Sequence, residues 1–161
     1  MELLATLVTD IPLDESRFRG VLLDVSRSSL AGAVSHFELS AYHAFGNAEI
    51  DMHIRDVEVT SRPANTAPKA ALTELEKIGF LPVTALEFRT DGTAESQEDA
   101  WALLGLYGIQ LRGWAITAYL DFDEAAFRAD TTEGLIKAPI GGKAKGVLIS
   151  ESTLRRLQCS G

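Results

Sequence analysis

One cysteine in 161 residues, Cys159, excludes an internal disulfide and a cysteine-based zinc site. Its position near the last residue provides no surrounding shell to activate a thiolate, so an incidental thiol is expected. Long apolar runs are also missing. The longest, Ala100 to Ile109, is broken by Gly105 and Gly108 and falls short of the ~18 residues that span a bilayer. Residue 2 is Glu where a secretory leader would carry Lys or Arg, and Thr6 interrupts the run Leu3 to Val8. A cytoplasmic protein without a membrane span is expected. No linker rich in Pro, Gly or Ser divides the chain, and its one seam is Thr131 to Gly134. The reading is a single α+β domain over 1–161, with an acidic body at 1–133 and a basic β/α tail at 134–161.

Positive charge is scarce and unevenly placed. The chain has 15 Lys and Arg against 23 Asp and Glu, a formal net of −8. From Met1 to Ile136 there are 22 acidic and 10 basic residues, a net of −12; from Lys137 onward there are five basic residues and one acid, a net of +4. An acidic body is repelled by phosphate backbones, which disfavours nucleic acid and leaves a basic protein partner or a small cationic ligand. Acidity that serves solubility alone is the plainer explanation. What is present in ordinary amount is apolar residue, at 46%, enough to build a real core.

Local patterns give an order of elements. Leu3 to Thr9 reads as a strand. Asp14 is a good N-cap, and Phe18, Val21, Leu22 and Val25 then fall on one helical face, with a strand from Val21 to Val25 as the competing reading. Gly46-Asn47 suits a type II′ turn, which would pair residues whose numbers add to 93: His43 with Ile50, Ala41 with Met52, Leu39 with Ile54 and Glu38 with Arg55. The apolar parity changes at Val57 and Val59, which suggests a β-bulge near Arg55 and Asp56. Ser61 to Asn65 reads as a loop. Thr66 then caps a helix containing Ala71, Leu72, Leu75 and Ile78 that ends at Gly79. Val83 to Thr90 reads as a strand followed by an Asp91-Gly92 turn. Ser96 with Asp99 resembles a capping box for a helix running to Gly108. Alternation from Trp114 to Phe122 predicts a half-buried strand. The tail offers strands at Leu135 to Ile140 and Val147 to Ile149 around a Gly-Gly-Lys-Ala-Lys-Gly loop, then a short helix capped by Ser150. The first six elements match a ferredoxin-like split βαβ sandwich, with helices on one face of an antiparallel sheet.

Chemistry-bearing residues are few. The three histidines, His36, His43 and His53, fall in the expected hairpin, but the register separates them and structural roles are the plainer reading. An enzymatic reading makes His53 a base beside Ser40, Tyr42 and Asp51, although the Gly-x-Ser-x-Gly context of a nucleophile elbow is absent. Asp121 and Asp123, with Glu124, crowd a strand end where carboxylates can hold Mg²⁺ or act as an acid/base pair; a solvated strand end explains them equally. Lys143 and Lys145 lie in a glycine-rich loop that could cradle an anion, yet Ala144 stands where a phosphate-binding loop needs Ser or Thr. No cofactor or bound metal is expected.

The run Leu75-Glu76-Lys77-Ile78-Gly79-Phe80, a following strand, an acidic helix ending near Tyr107-Gly108, and Gly113-Trp114 together resemble the bacterial ribonuclease E inhibitor family RraB over about a quarter of the chain. That resemblance implies an acidic protein that regulates by binding another protein.

The leading expectation is a small acidic protein that binds a protein partner, as inhibitor, immunity-type neutraliser or regulator. Its acidic surfaces lie at 49–58, 91–99 (including Glu95, Glu98 and Asp99) and 121–133, and Lys143 and Lys145 supply a basic contact. The alternatives are a small hydrolase or metal-dependent enzyme using His53 with Asp51 or Asp121 with Asp123, and a subunit of a larger, homo-oligomeric assembly built through a sheet edge.

Overall fold

The computed structural model describes residues 2–14, 16–18, 20–21, 37–44, 47–54, 56–117, 135–139 and 145–149. The elements are β1 (Glu2–Thr9), β2 (Phe37–Ala44), β3 (Asn47–Ile54), β4 (Val57–Pro63), a 3-10 turn (Ala64–Thr66), α1 (Lys69–Lys77), β5 (Thr84–Thr90), α2 (Ala94–Gln110), β6 (Trp114–Thr117), β7 (Leu135–Pro139) and β8 (Lys145–Ile149). The chain is of mixed α and β type. All eight strands join one antiparallel sheet in the order β2-β3-β4-β5-β1-β6-β8-β7. Among the residues whose burial is described, the buried side chains of the sheet lie on β1, β3, β4, β5 and β6.

β1 is the axis of the sheet. Ala5 and Leu7 point to one face and Thr6 and Val8 to the other, and all four are buried. On the first face, α2 sets Ala100, Leu103, Leu104 and Tyr107 against Leu7, Met52, Val57, Val59, Leu86 and Phe88, joined by Phe18 and Val21. On the second face, α1 sets Ala71 and Leu75 against Val8, Ala85 and Ile116.

This is not the ferredoxin-like arrangement that the element order suggested. There, both helices would share one face and β1 would lie beside a strand of the hairpin. Here Phe18 and Val21, from the helical turn after Asp14, pack on one face and α1 on the other, and β1 lies between β5 and β6, antiparallel to both. The cause is visible in β1, β5 and β6: each has apolar residues at consecutive positions (Leu7-Val8, Ala85-Leu86, Ala115-Ile116), so both faces need covering. For the same reason the strand at Trp114 is buried on both faces over Ala115 to Thr117 rather than half buried.

The hairpin forms, with a register two residues from the expected one. Leu39 pairs with Met52, Ala41 with Ile50 and His43 with Ala48, so residues 45 and 46 are the connection. Glu38 accordingly lies opposite His53, not Arg55. A slip of two leaves every side chain on its original face, so alternation alone cannot detect it. The parity change after Ile54 is a second hairpin rather than a bulge: Ile54 pairs with Val57, and β4 runs back along β3. Ser61 therefore belongs to β4, not to a loop.

Further boundaries move for local reasons. Pro68, without a side-chain cap, precedes α1, while the Thr66 hydroxyl donates to the Pro63 carbonyl. Thr93 caps α2 by accepting from the Ser96 amide at 3.2 Å, so Ser96 sits inside the helix instead of capping it. α2 continues past Gly108 to Gln110, and Arg112 supplies the left-handed residue after it, at φ 51°. Lys145 and Gly146 belong to β8 rather than to a loop. Other expectations hold: Asp14 Oδ1 accepts from the Arg17 amide at 2.7 Å, and Gly79 and Gly92 take positive φ at the ends of α1 and β5.

Candidate functional site: the charged half of the second face

Among the described residues, α1 packs on the second face against Val8, Ala85 and Ile116, of β1, β5 and β6, and lies against β7. The rest of that face belongs to β2, β3, β4 and the part of β5 beyond Ala85. Successive pairings set one row across it as Glu38, His53, Glu58, Arg89 and Leu3, and the next as Ser40, Asp51, Thr60, Glu87 and Thr6. Continued toward β7, the second row becomes Ile116, Leu148 and Ile136. One face thus passes from charged to apolar along a single row, and α1 sits on the apolar part.

Glu87 is the centre of the charged part. Its side chain is 14% exposed, and its two carboxylate oxygens face different guanidinium groups. Arg62 Nε approaches Oε1 at 2.7 Å, and Arg89 closes on Oε2. The Arg62 contact is off the hydrogen-bond axis, so it acts as an ion pair. The sequence dictates this grouping: Arg89 follows Glu87 by two residues on the same strand face, and Arg62 lies diagonally across the β4/β5 pair. Glu58 sits directly opposite both Arg89 and His53, with His53 Nε2 3.9 Å from Glu58 Oε2. His53 is 47% exposed on its side chain and Glu58 30%.

His53 and Asp51 do share this face, two residues apart on β3, with Ser40 at the register position opposite Asp51. The carboxylate recorded beside His53 is that of Glu58, at 3.9 Å, longer than the roughly 2.6–3.2 Å of a hydrogen bond, while the side chains of Asp51, Ser40 and Tyr42 lie outside the described residues. Among the described residues no group of three or more His, Cys, Asp or Glu side chains could hold a metal ion, and no helix is long and apolar enough to cross a membrane. Asp121, Asp123, Glu124, Lys143, His36 and Cys159 lie outside the described residues. Lys145 opens β8 opposite Pro139.

In the acidic segment at 91–99, Asp91 is committed to the fold. Asp91 Oδ1 is 2.6 Å from the Ser96 hydroxyl, 2.8 Å from the Thr93 hydroxyl and 3.0 Å from the Thr93 amide that donates to it. These contacts, the Ser96 hydroxyl first, hold its carboxyl below the usual carboxylate range. Glu95 and Glu98 are exposed and Asp99 half-buried on the first turns of α2, the helix that packs on the face opposite Glu87.

Sequence reading missed Glu87, Arg62 and Arg89. A signal existed in Glu87-Phe88-Arg89, where two opposite charges flank a buried aromatic in a strand, but the role of Arg62 depends on β4 pairing with β5 across α1. Compared with protein-family models, with characterised proteins and with solved structures, the chain matches none.

Proposed function

We propose that this chain is a protein-binding regulator or inhibitor that takes a basic surface of a partner protein on the charged half of the second face. The observation that carries the reading is the graded charge of the second face, whose rows from β2 to β5 bring acidic residues together away from the cluster on which α1 packs. On that surface Arg62 and Arg89 are both engaged by Glu87, while Glu38, Glu49, Asp51 and Glu58 occupy the same face nearer the β2 edge. The excess there is acidic, in keeping with the net −8 of the chain. Complementary charge raises association rate and selectivity, and such contacts weaken as salt screens them.

The test is capture by the immobilised chain from a native lysate at several salt concentrations, repeated with Asp51→Lys/Glu58→Lys. A stoichiometric basic protein retained at low salt, released as salt rises and lost in the variant with its circular dichroism unchanged is the expected result. Equal capture by parent and variant at every salt concentration would remove this face from the reading.

A further inference from the structure

The two ends of the sheet differ in how they are finished. β7 is short, five residues, with Lys137 in the middle and Pro139 at its end. A brief edge strand with a lysine and a proline is a common guard against pairing with another chain. β2 has none of these devices. Its eight residues, Phe-Glu-Leu-Ser-Ala-Tyr-His-Ala, include no proline, no lysine and one formal charge. Among the described residues no strand pairs with its outer side. Phe37, Leu39 and Ala41 share a register face with Ile54, Met52 and Ile50, so the apolar face of the sheet continues to this edge.

We propose that two copies of this chain join through β2, the two Phe37–Ala44 strands running antiparallel about a two-fold axis at Ser40. Directly opposed residues in an antiparallel pair share a face, so a strand can pair with itself only where the two numbers have the same parity. An axis at Ser40 meets that condition and sets Ser40 opposite Ser40, Glu38 opposite Tyr42, Leu39 opposite Ala41 and Phe37 opposite His43. No like charges meet. The same operation at the middle of β7 sets Lys137 against Lys137, with Pro139 unable to donate from its nitrogen. A β2 join is isologous and uses the outer edges of both β2 strands at once, while the guarded β7 edges stop growth at the dimer. The two eight-stranded sheets become one.

This inference is independent of the basic-partner reading, and the two respond to salt in opposite directions. Each copy carries −8, so screening strengthens association of two copies while it weakens capture of a basic partner. The full chain carrying Cys159→Ser is to be followed by sedimentation over a wide concentration range at low and high salt. A monomer–dimer equilibrium that tightens with salt is the expected result. In the same background Ser40→Cys should give a covalent dimer on mild oxidation, and Tyr42→Cys should crosslink faster when mixed with Glu38→Cys than alone. Ser40→Lys brings two like charges together and should weaken the dimer at least tenfold with circular dichroism unchanged. A strict monomer at every concentration and salt overturns the proposal. So does a dimer that Ser40→Cys fails to crosslink, which would place the contact elsewhere. If Ser40→Lys does not fold, the crosslinking pattern decides alone.

Discussion

Tyr107 donates its buried hydroxyl to the backbone carbonyl of Phe18, 3.1 Å away and 89 residues earlier in the chain. The same two residues also meet ring to ring, with centroids 5.0 Å apart and planes tilted by 46°, and Phe88 meets the Tyr107 ring edge-on at 6.4 Å. This one side chain therefore ties the helical turn after Asp14 to α2 and to the sheet. Burial pushes the phenol far above its ordinary value, so it remains a donor throughout the working pH range.

Tyr107→Phe keeps the ring and removes the donor, leaving the Phe18 carbonyl without that partner. A loss of about 1–2 kcal/mol is expected, since an unsatisfied buried carbonyl costs more than the hydrogen bond itself contributes. A lower urea midpoint with an unchanged slope would record it. An unaltered midpoint would mean that the carbonyl finds another partner.

Gly113 and Gly20 should respond oppositely to alanine. A Cβ at Gly113 would lie 2.8 Å from the Val8 carbonyl oxygen and 2.8 Å from Leu7 Cδ1, at the point where α2 gives way to β6. Backbone cannot yield as a side-chain tip can, so Gly113→Ala should cost about 1–3 kcal/mol. At Gly20 nothing lies within 4 Å of the added atom, and the residue is helical. Gly20→Ala should therefore raise stability by about 0.5–1 kcal/mol through helix propensity. Thermal unfolding of both variants tests the contrast, and equal shifts of one sign would contradict it.

These same residues show what the chain discloses on its own. Asp14, Gly79 and Gly92 act through neighbours within a few positions, and their roles as cap and turn residues follow from chemistry readable in order along the sequence. The hairpin faces were legible because alternation has period two, and the register was not, because a slip of two preserves it. The charged half-face was opaque for a different reason. Glu87 and Arg62 are 25 positions apart and meet only because β4 and β5 pair across α1.

Glu87→Gln should loosen that half-face. Removing the carboxylate leaves the Arg62 and Arg89 guanidinium groups adjacent without their shared counter-charge, while Arg89 still faces Glu58. Arg62 is 39% exposed, so solvent screening limits the loss to about 1 kcal/mol. Arg62→Gln should cost less, and the double variant should fall short of the sum by about 0.5 kcal/mol if the two groups are coupled. Chemical unfolding of all three variants gives the cycle. Additive losses would show that the contact contributes nothing of its own.

Asp91 supplies a pH test of the α2 cap. The Ser96 hydroxyl, then the Thr93 amide and hydroxyl, favour its charged form and depress its folded-state value below the ordinary 3.8. A depressed carboxyl contributes stability that is complete above the unfolded-state value and is lost as pH falls through the lower folded value. The acid side of the stability curve, below about pH 4, is therefore where the cap should weaken. Asp91→Asn retains an acceptor oxygen but removes the charge, so its stability should change less over that interval than the parent's, with the two profiles converging in acid. The side-chain carboxyl of Asp91, followed by NMR from neutral pH downward, should titrate below an unstructured aspartate in the same spectra. An ordinary midpoint, or parallel stability profiles for parent and variant, would show that Thr93 caps the helix without help from Asp91.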